Sequence, residues 1–120
     1  MSKPEWPPPP PSFFVGFDLG QKQDHSAIAV LERVSVRIGG FDHVYWIPNL
    51  RPELHLRHVE RLPLHTSYPV VAERLMSLCR SHQFQGYQVT LVVDATGVGA
   101  PVLDMLRKER PPAKIIPISI

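Results

Sequence analysis

Apolar residues fall in short runs that predict strands in the first half of the chain, and strands alternating with helices in the second. Phe13-Phe14-Val15-Gly16-Phe17 is aromatic and apolar throughout, which predicts a short strand buried on both faces. Asp18 stands at its end, where a carboxylate is costly to bury unless something pairs with it. Gly20 permits a tight turn, and after the polar stretch to Asp24 a second apolar run begins at Ser26, so the two runs predict adjacent antiparallel strands. This second strand becomes half exposed towards Ile38, and Gly39-Gly40 breaks it. Asp42 to Ile47 is a further short strand candidate, closed by Pro48, Asn49 and Pro52. Leu54 to Leu62 alternates in part, with Leu54, Leu56, His58, Glu60 and Leu62 on one side, and predicts the third main strand.

The second half has the longer period. Thr66-Ser67-Tyr68-Pro69 is a helix start, with a hydroxyl for the cap and a proline in the first turn. Val71, Leu75 and Leu78 then recur at helical spacing, and the helix is expected to stop near Gly86. Val89-Thr90-Leu91-Val92-Val93 is a β-branched run suited to a central parallel strand, and it delivers Asp94 at its end. Thr96 to Pro101 is a glycine-rich turn into a helix whose inner face is Val102, Leu103 and Leu106, with Arg107, Lys108 and Arg110 at the end its dipole favours. Pro111-Pro112 ends it, and Lys114 to Ile120 predicts a last strand. Three strands followed by helix, strand, helix and strand make an α/β mixed sheet. That order resembles the first two thirds of a ribonuclease-H-like fold, with the C-terminal part missing.

Composition bounds the rest. At 120 residues the chain is one domain, and roughly 65% of its unfolded surface can be buried. Residues 1–12 read as a proline-rich leader, because Pro7 through Pro11 favour an extended rod, and residues 13–120 as the folded domain. A formal charge of +2 is too mild to establish a nucleic-acid partner. A single cysteine, Cys79, excludes an internal disulfide and makes a reducing cytoplasm the expected compartment. No apolar run approaches the roughly 18 residues of a membrane span, and prolines stand where a signal peptide has its apolar core.

The chemistry rests on Asp18 and Asp94. If their strands are parallel neighbours, the two carboxylates emerge side by side at one sheet edge. A divalent cation relieves their repulsion: Mg2+ and Mn2+ take hard oxygen ligands. Paired ions of this kind hydrolyse phosphodiesters by activating water and stabilising the leaving oxygen. The plain alternative is that both aspartates cap their own turns. Gly97 and Gly99 could present amides to a phosphate, although a tight strand-to-helix connection needs the same glycines. Arg57 and Arg61, with Arg51, Arg74 and Arg80, could form a phosphate-contacting face or an ordinary solvated one. His55, His58 and His65 lack the spacing of a zinc site, and Cys79 reads as core.

These motifs carry a resemblance. Gly16-Phe17-Asp18-Leu19-Gly20, Asp24-His25-Ser26-Ala27-Ile28, Arg61-Leu62-Pro63-Leu64 before Tyr68-Pro69, and Val93-Asp94-Ala95-Thr96-Gly97-Val98-Gly99 resemble, in order and spacing, the nuclease domain of the large terminase subunit of tailed phages. The likeness implies a metal-dependent endonuclease that cuts double-stranded DNA during genome packaging in a bacterial host cell. Asp18 and Asp94 would be its catalytic ligands for Mg2+ or Mn2+, and Asp24 would be auxiliary. It also implies the terminase ATPase domain, small subunit or portal as partners. The family's third acidic ligand lies on a later helix, and the chain has no candidate after Glu109, so weak or no cleavage is expected from this chain alone. Two other readings stand beside it: a non-catalytic prophage-derived remnant that binds DNA or a packaging partner, and an actin- or sugar-kinase-like nucleotide-binding fold, echoed by Asp18-Leu19-Gly20 and by Asp94 to Gly99.

Overall fold

A computed structural model describes residues 8–20, 24–96 and 99–119. It is an α/β fold in which five strands form one mixed sheet: β1 (Ser12–Asp18), β2 (Ala27–Asp42), β3 (Ile47–Arg61), β4 (Gln88–Asp94) and β5 (Lys114–Ile118). Helix α1 (Tyr68–Cys79) and a 3-10 turn at His82–Phe84 connect β3 to β4, and α2 (Gly99–Glu109) connects β4 to β5. Across the sheet the order is β3-β2-β1-β4-β5. β1 pairs with β2 and β2 with β3 in antiparallel fashion, whereas β4 runs parallel to β1 and β5 parallel to β4.

Both helices pack on one face of this sheet. Phe13, Val15 and Phe17 of β1, Ile28 and Val30 of β2, and Val89, Leu91 and Val93 of β4 are buried there. They meet Val71, Ala72, Leu75, Met76 and Cys79 of α1 and the expected Val102, Leu103 and Leu106 of α2. The opposite face has no helix among the described residues. Phe14 and Gly16 are therefore only half-buried, and the expectation that β1 is buried on both faces is corrected: its burial alternates with period two.

The hairpin half differs most from its prediction. Gly39-Gly40 does not end β2 but is absorbed as a bulge, between the pairs Arg37↔Leu50 and Phe41↔Pro48, with both glycines at positive φ. Asp42 to Ile47 is not a strand: residues 43–46 form the turn joining β2 to β3. β3 starts at Ile47, passing through Pro48 and Pro52, which an edge strand tolerates because one row of its backbone groups has no partner strand among the described residues. The expectation that Leu54, Leu56, His58 and Glu60 share one side of this strand is also corrected. Leu54 and Leu56 are exposed on the uncovered face, and a register shift at Val30/Leu31 moves His58 and Glu60 to the helix side.

Helix α1 ends at Cys79, earlier than Gly86, which instead takes a positive φ in the turn before β4. Ser67 stands at its N-cap with extended backbone but makes no side-chain cap bond, and Pro69 occupies the first turn. Among the described residues, no helix is long and apolar enough to cross a membrane.

Candidate metal centre

β1 and β4 are in register through Phe17↔Val93, so the next residues, Asp18 and Asp94, stand at neighbouring positions, one strand spacing of about 4.8 Å apart along the backbone. Phe17 and Val93 point into the core, and the period of two therefore turns both aspartates to the uncovered face. They line the same shallow cavity of about 320 Å³, whose floor is Gly16, Ala27, Ala29, Val59, Val92 and Ile118. Among the described residues, two carboxylates and no basic group line this recess. Like charges on an apolar floor disfavour one another and favour a shared cation.

The two aspartates are not equivalent. Asp94 Oδ1 accepts the Thr96 N–H at 2.9 Å, a turn-capping bond, while Asp18 is exposed. One Asp94 oxygen is thus committed to the loop, and the second is left for another ligand. A single Mg2+ or Mn2+ that keeps several waters fits two such oxygen donors. Among the described residues there is no group of three or more His, Cys, Asp or Glu side chains placed to hold a metal. On this donor set a third protein ligand would have to come from elsewhere.

The chain just past β1 is anchored by His25 and Ser26, which the motif reading quoted without assigning them a role. The Gly20 N–H donates to Ser26 Oγ at 3.0 Å, and Ser26 is buried. His25 Nδ1–H donates to the Leu62 carbonyl at 2.8 Å, and the Leu62 N–H donates to the Ser26 carbonyl at 2.9 Å. These bonds anchor the end of β1 to the end of β3, and their signal in the sequence was the polar triplet Asp24-His25-Ser26 interrupting two apolar runs. Asp24 itself is exposed and does not line the carboxylate cavity, although its carbonyl packs directly against Gly20.

Gly99 has a packing reason to be glycine: a Cβ there would run into the Asp94 carbonyl oxygen and lie 2.9 Å from its carbon. Gly97 lies outside the described residues. Arg61 pairs with Ala27, which pairs with Asp18, so Arg61 shares the carboxylate face, two strands or roughly 10 Å away. Arg57 does not join them: its Nε and Nη2 donate to Glu32 Oε1 at 3.0 and 2.6 Å, in a recess lined by Phe13 and Val30 on the helix side. Glu53 holds Arg51 at 3.0 Å, and Glu60 holds Arg74. Three of the five arginines of the candidate phosphate face are therefore engaged by glutamates. A larger recess, between α1 and α2 beside Met76 and Met105, is on the helix side, away from the aspartates.

No protein-family model, curated protein or solved structure matches this chain.

Proposed function

We propose that this chain is a ribonuclease-H-like, terminase-like nuclease domain that acts on double-stranded DNA through Mg2+ or Mn2+ held by Asp18 and Asp94. One observation carries the reading: two carboxylates end adjacent parallel strands and open onto the same uncovered sheet face. The strand order, with an antiparallel hairpin half and parallel strands across two helices, is consistent with that fold. The cation would supply Lewis-acid activation of a phosphodiester and of the attacking water. Asp18 would be the freer ligand, Asp94 the ligand fixed by its bond to Thr96, and Ser26 and His25 would hold Gly20 and the end of β3 in place beside them. The terminase ATPase domain, small subunit or portal are the partners this reading names.

A second reading, a non-catalytic remnant that binds DNA or a packaging partner, is favoured by the donor count of two. Calorimetric titration with Mn2+ beside a plasmid-nicking assay separates the two. Binding in the wild type, lost in Asp18→Asn and Asp94→Asn, with nicking, supports the nuclease. Binding without nicking supports the remnant, and unchanged Mn2+ affinity in both variants removes the metal site.

A further inference from the structure

Beyond Arg33, which pairs with Ser12, β2 leaves β1 and, among the described residues, has β3 alone as a neighbour. Val34 to Asp42 and Ile47 to Glu53 therefore run on as a two-stranded ribbon roughly 30 Å long. The molecule is accordingly elongated, 63 Å by 24 Å by 21 Å. A ribbon without a third strand is marginal by itself, and this one carries devices that stiffen its end. Asp42 Oδ1 accepts the N–H groups of Val44 (2.8 Å) and Tyr45 (3.1 Å), and the Asp42 carbonyl accepts that of Trp46 (2.8 Å). Trp46 is held at φ 56°, and the His43 ring meets its indole edge-on at 6.4 Å.

What this fixed turn presents is apolar. Val44 is 77% exposed, Tyr45 72% and Trp46 64%, with Ile47 and Ile38 exposed beside them. Reversing the chain needs none of these side chains. Aromatic groups held out on a pre-ordered backbone lose little entropy when they are covered, which suits them to recognition.

Charge on the ribbon is sorted by face. Cross-strand pairing puts Arg33, Ser35 and Arg37 on one face with Leu54, Pro52 and Leu50, and no acidic residue lies among these six. The glutamates Glu32 and Glu53 are on the other face, with Arg57 and Arg51 bonded to them. The arginine face is continuous with the one that carries Arg61, Asp18 and Asp94, because Arg33, Ser12 and Asp18 share its side of the sheet.

We infer that the β2–β3 ribbon is an arm that lies in a groove of duplex DNA, with Arg33 and Arg37 towards the phosphates and Tyr45 and Trp46 as a wedge against the bases at its end. A two-stranded ribbon fits a DNA groove, and proteins kink duplexes by inserting apolar side chains between base steps. The inference takes its choice of DNA from the proposed nuclease reading, but its site is separate. From Ala27 to Asp42 the strand covers roughly 50 Å, so a duplex touching both the wedge and the carboxylates spans about 15 base pairs.

The test uses the full chain with Trp6→Phe, which leaves Trp46 as its only tryptophan. A duplex of about 20 base pairs is titrated in without divalent cations. Quenching of Trp46, an affinity about tenfold weaker in Trp46→Ala and in Tyr45→Ala, and a salt slope reduced by about two in Arg33→Ala/Arg37→Ala support the arm. An emission that ignores bound DNA overturns the arm. So does one that responds instead to anionic vesicles or to protein concentration. Plasmid nicking in Mn2+ separates this result from the function: nicking with an inert Trp46 removes only the arm, and a responsive Trp46 without nicking upholds the arm and favours the non-catalytic remnant.

Discussion

Arg74 grips Glu60 through two hydrogen bonds, Nε to Oε2 and Nη2 to Oε1, both 2.7 Å. The pair ties α1 to the edge strand β3, and His58 Nε2–H adds a third bond to the same carboxylate at 3.0 Å. The Arg74 bonds hold the Glu60 carboxyl down at about 2, from an ordinary value of 4.5.

A depressed carboxyl means that the unfolded chain binds the proton more readily, so the pair's stabilisation is present above about pH 4.5 and fades as pH falls towards 2. Arg74→Ala should cost about 1 kcal/mol at pH 7, after allowance for the half-open position of the guanidinium. Urea denaturation at pH 7 and pH 3 checks this, with the gap between variant and parent narrowing at the lower pH.

The two aspartates should respond differently to replacement. Asp18→Asn removes one of two facing charges and should leave stability within about 0.5 kcal/mol of the parent. Asp94→Ala also loses the bond from the Thr96 N–H and should cost about 1 kcal/mol. Both variants should lose Mn2+ binding, so thermal melts with and without Mn2+ would separate ligation from turn capping.

Gly99→Ala should be among the most damaging small substitutions, at about 2 kcal/mol or more, because the new methyl meets backbone at the end of β4. Gly86→Ala, where nothing lies within 4 Å of the added atom but φ is 83°, should cost about 1 kcal/mol. Chemical denaturation of the two variants side by side measures the difference. Equal costs would mean that the β4–α2 connection yields.

Cys79 lies in the core at the end of α1, and burial pushes its thiol up to about 11. The thiolate is the reactive form. A thiol reagent at pH 8 should therefore label Cys79 only as fast as the fold opens, and at the full rate of a free cysteine in denaturant.

Several features were legible because they depend on neighbours in the chain. Val71 with Leu75, and Val102 with Leu103 and Leu106, repeat at the helical period, and their burial follows from it. Asp18 and Asp94 each follow an apolar run, so a carboxylate at each strand end was implied by order alone. Parallel pairing of their strands was a condition of that reading, and the register Phe17↔Val93 meets it.

The hairpin half was misjudged for a physical reason. Two glycines stop a strand in sequence logic, yet a bulge uses their positive φ to let β2 continue. Prolines 48 and 52 argue against a central strand, and only the strand order shows that β3 is an edge, where they are tolerated. Likewise Arg57 and Arg61 stand four residues apart in sequence, but the register shift sends the first to Glu32 and leaves the second on the carboxylate face.

By itself, then, the sequence determined the order of the main strands and helices and where the two aspartates stand within them, because periodicity and strand ends are set by residues a few positions apart. Tertiary structure alone decided which sheet face stays open, which glutamates take up the arginines, and that β2 and β3 run on past the core with Trp46 at the tip. Those features depend on cross-strand register and on which face the helices cover, and both join residues that are far apart along the chain.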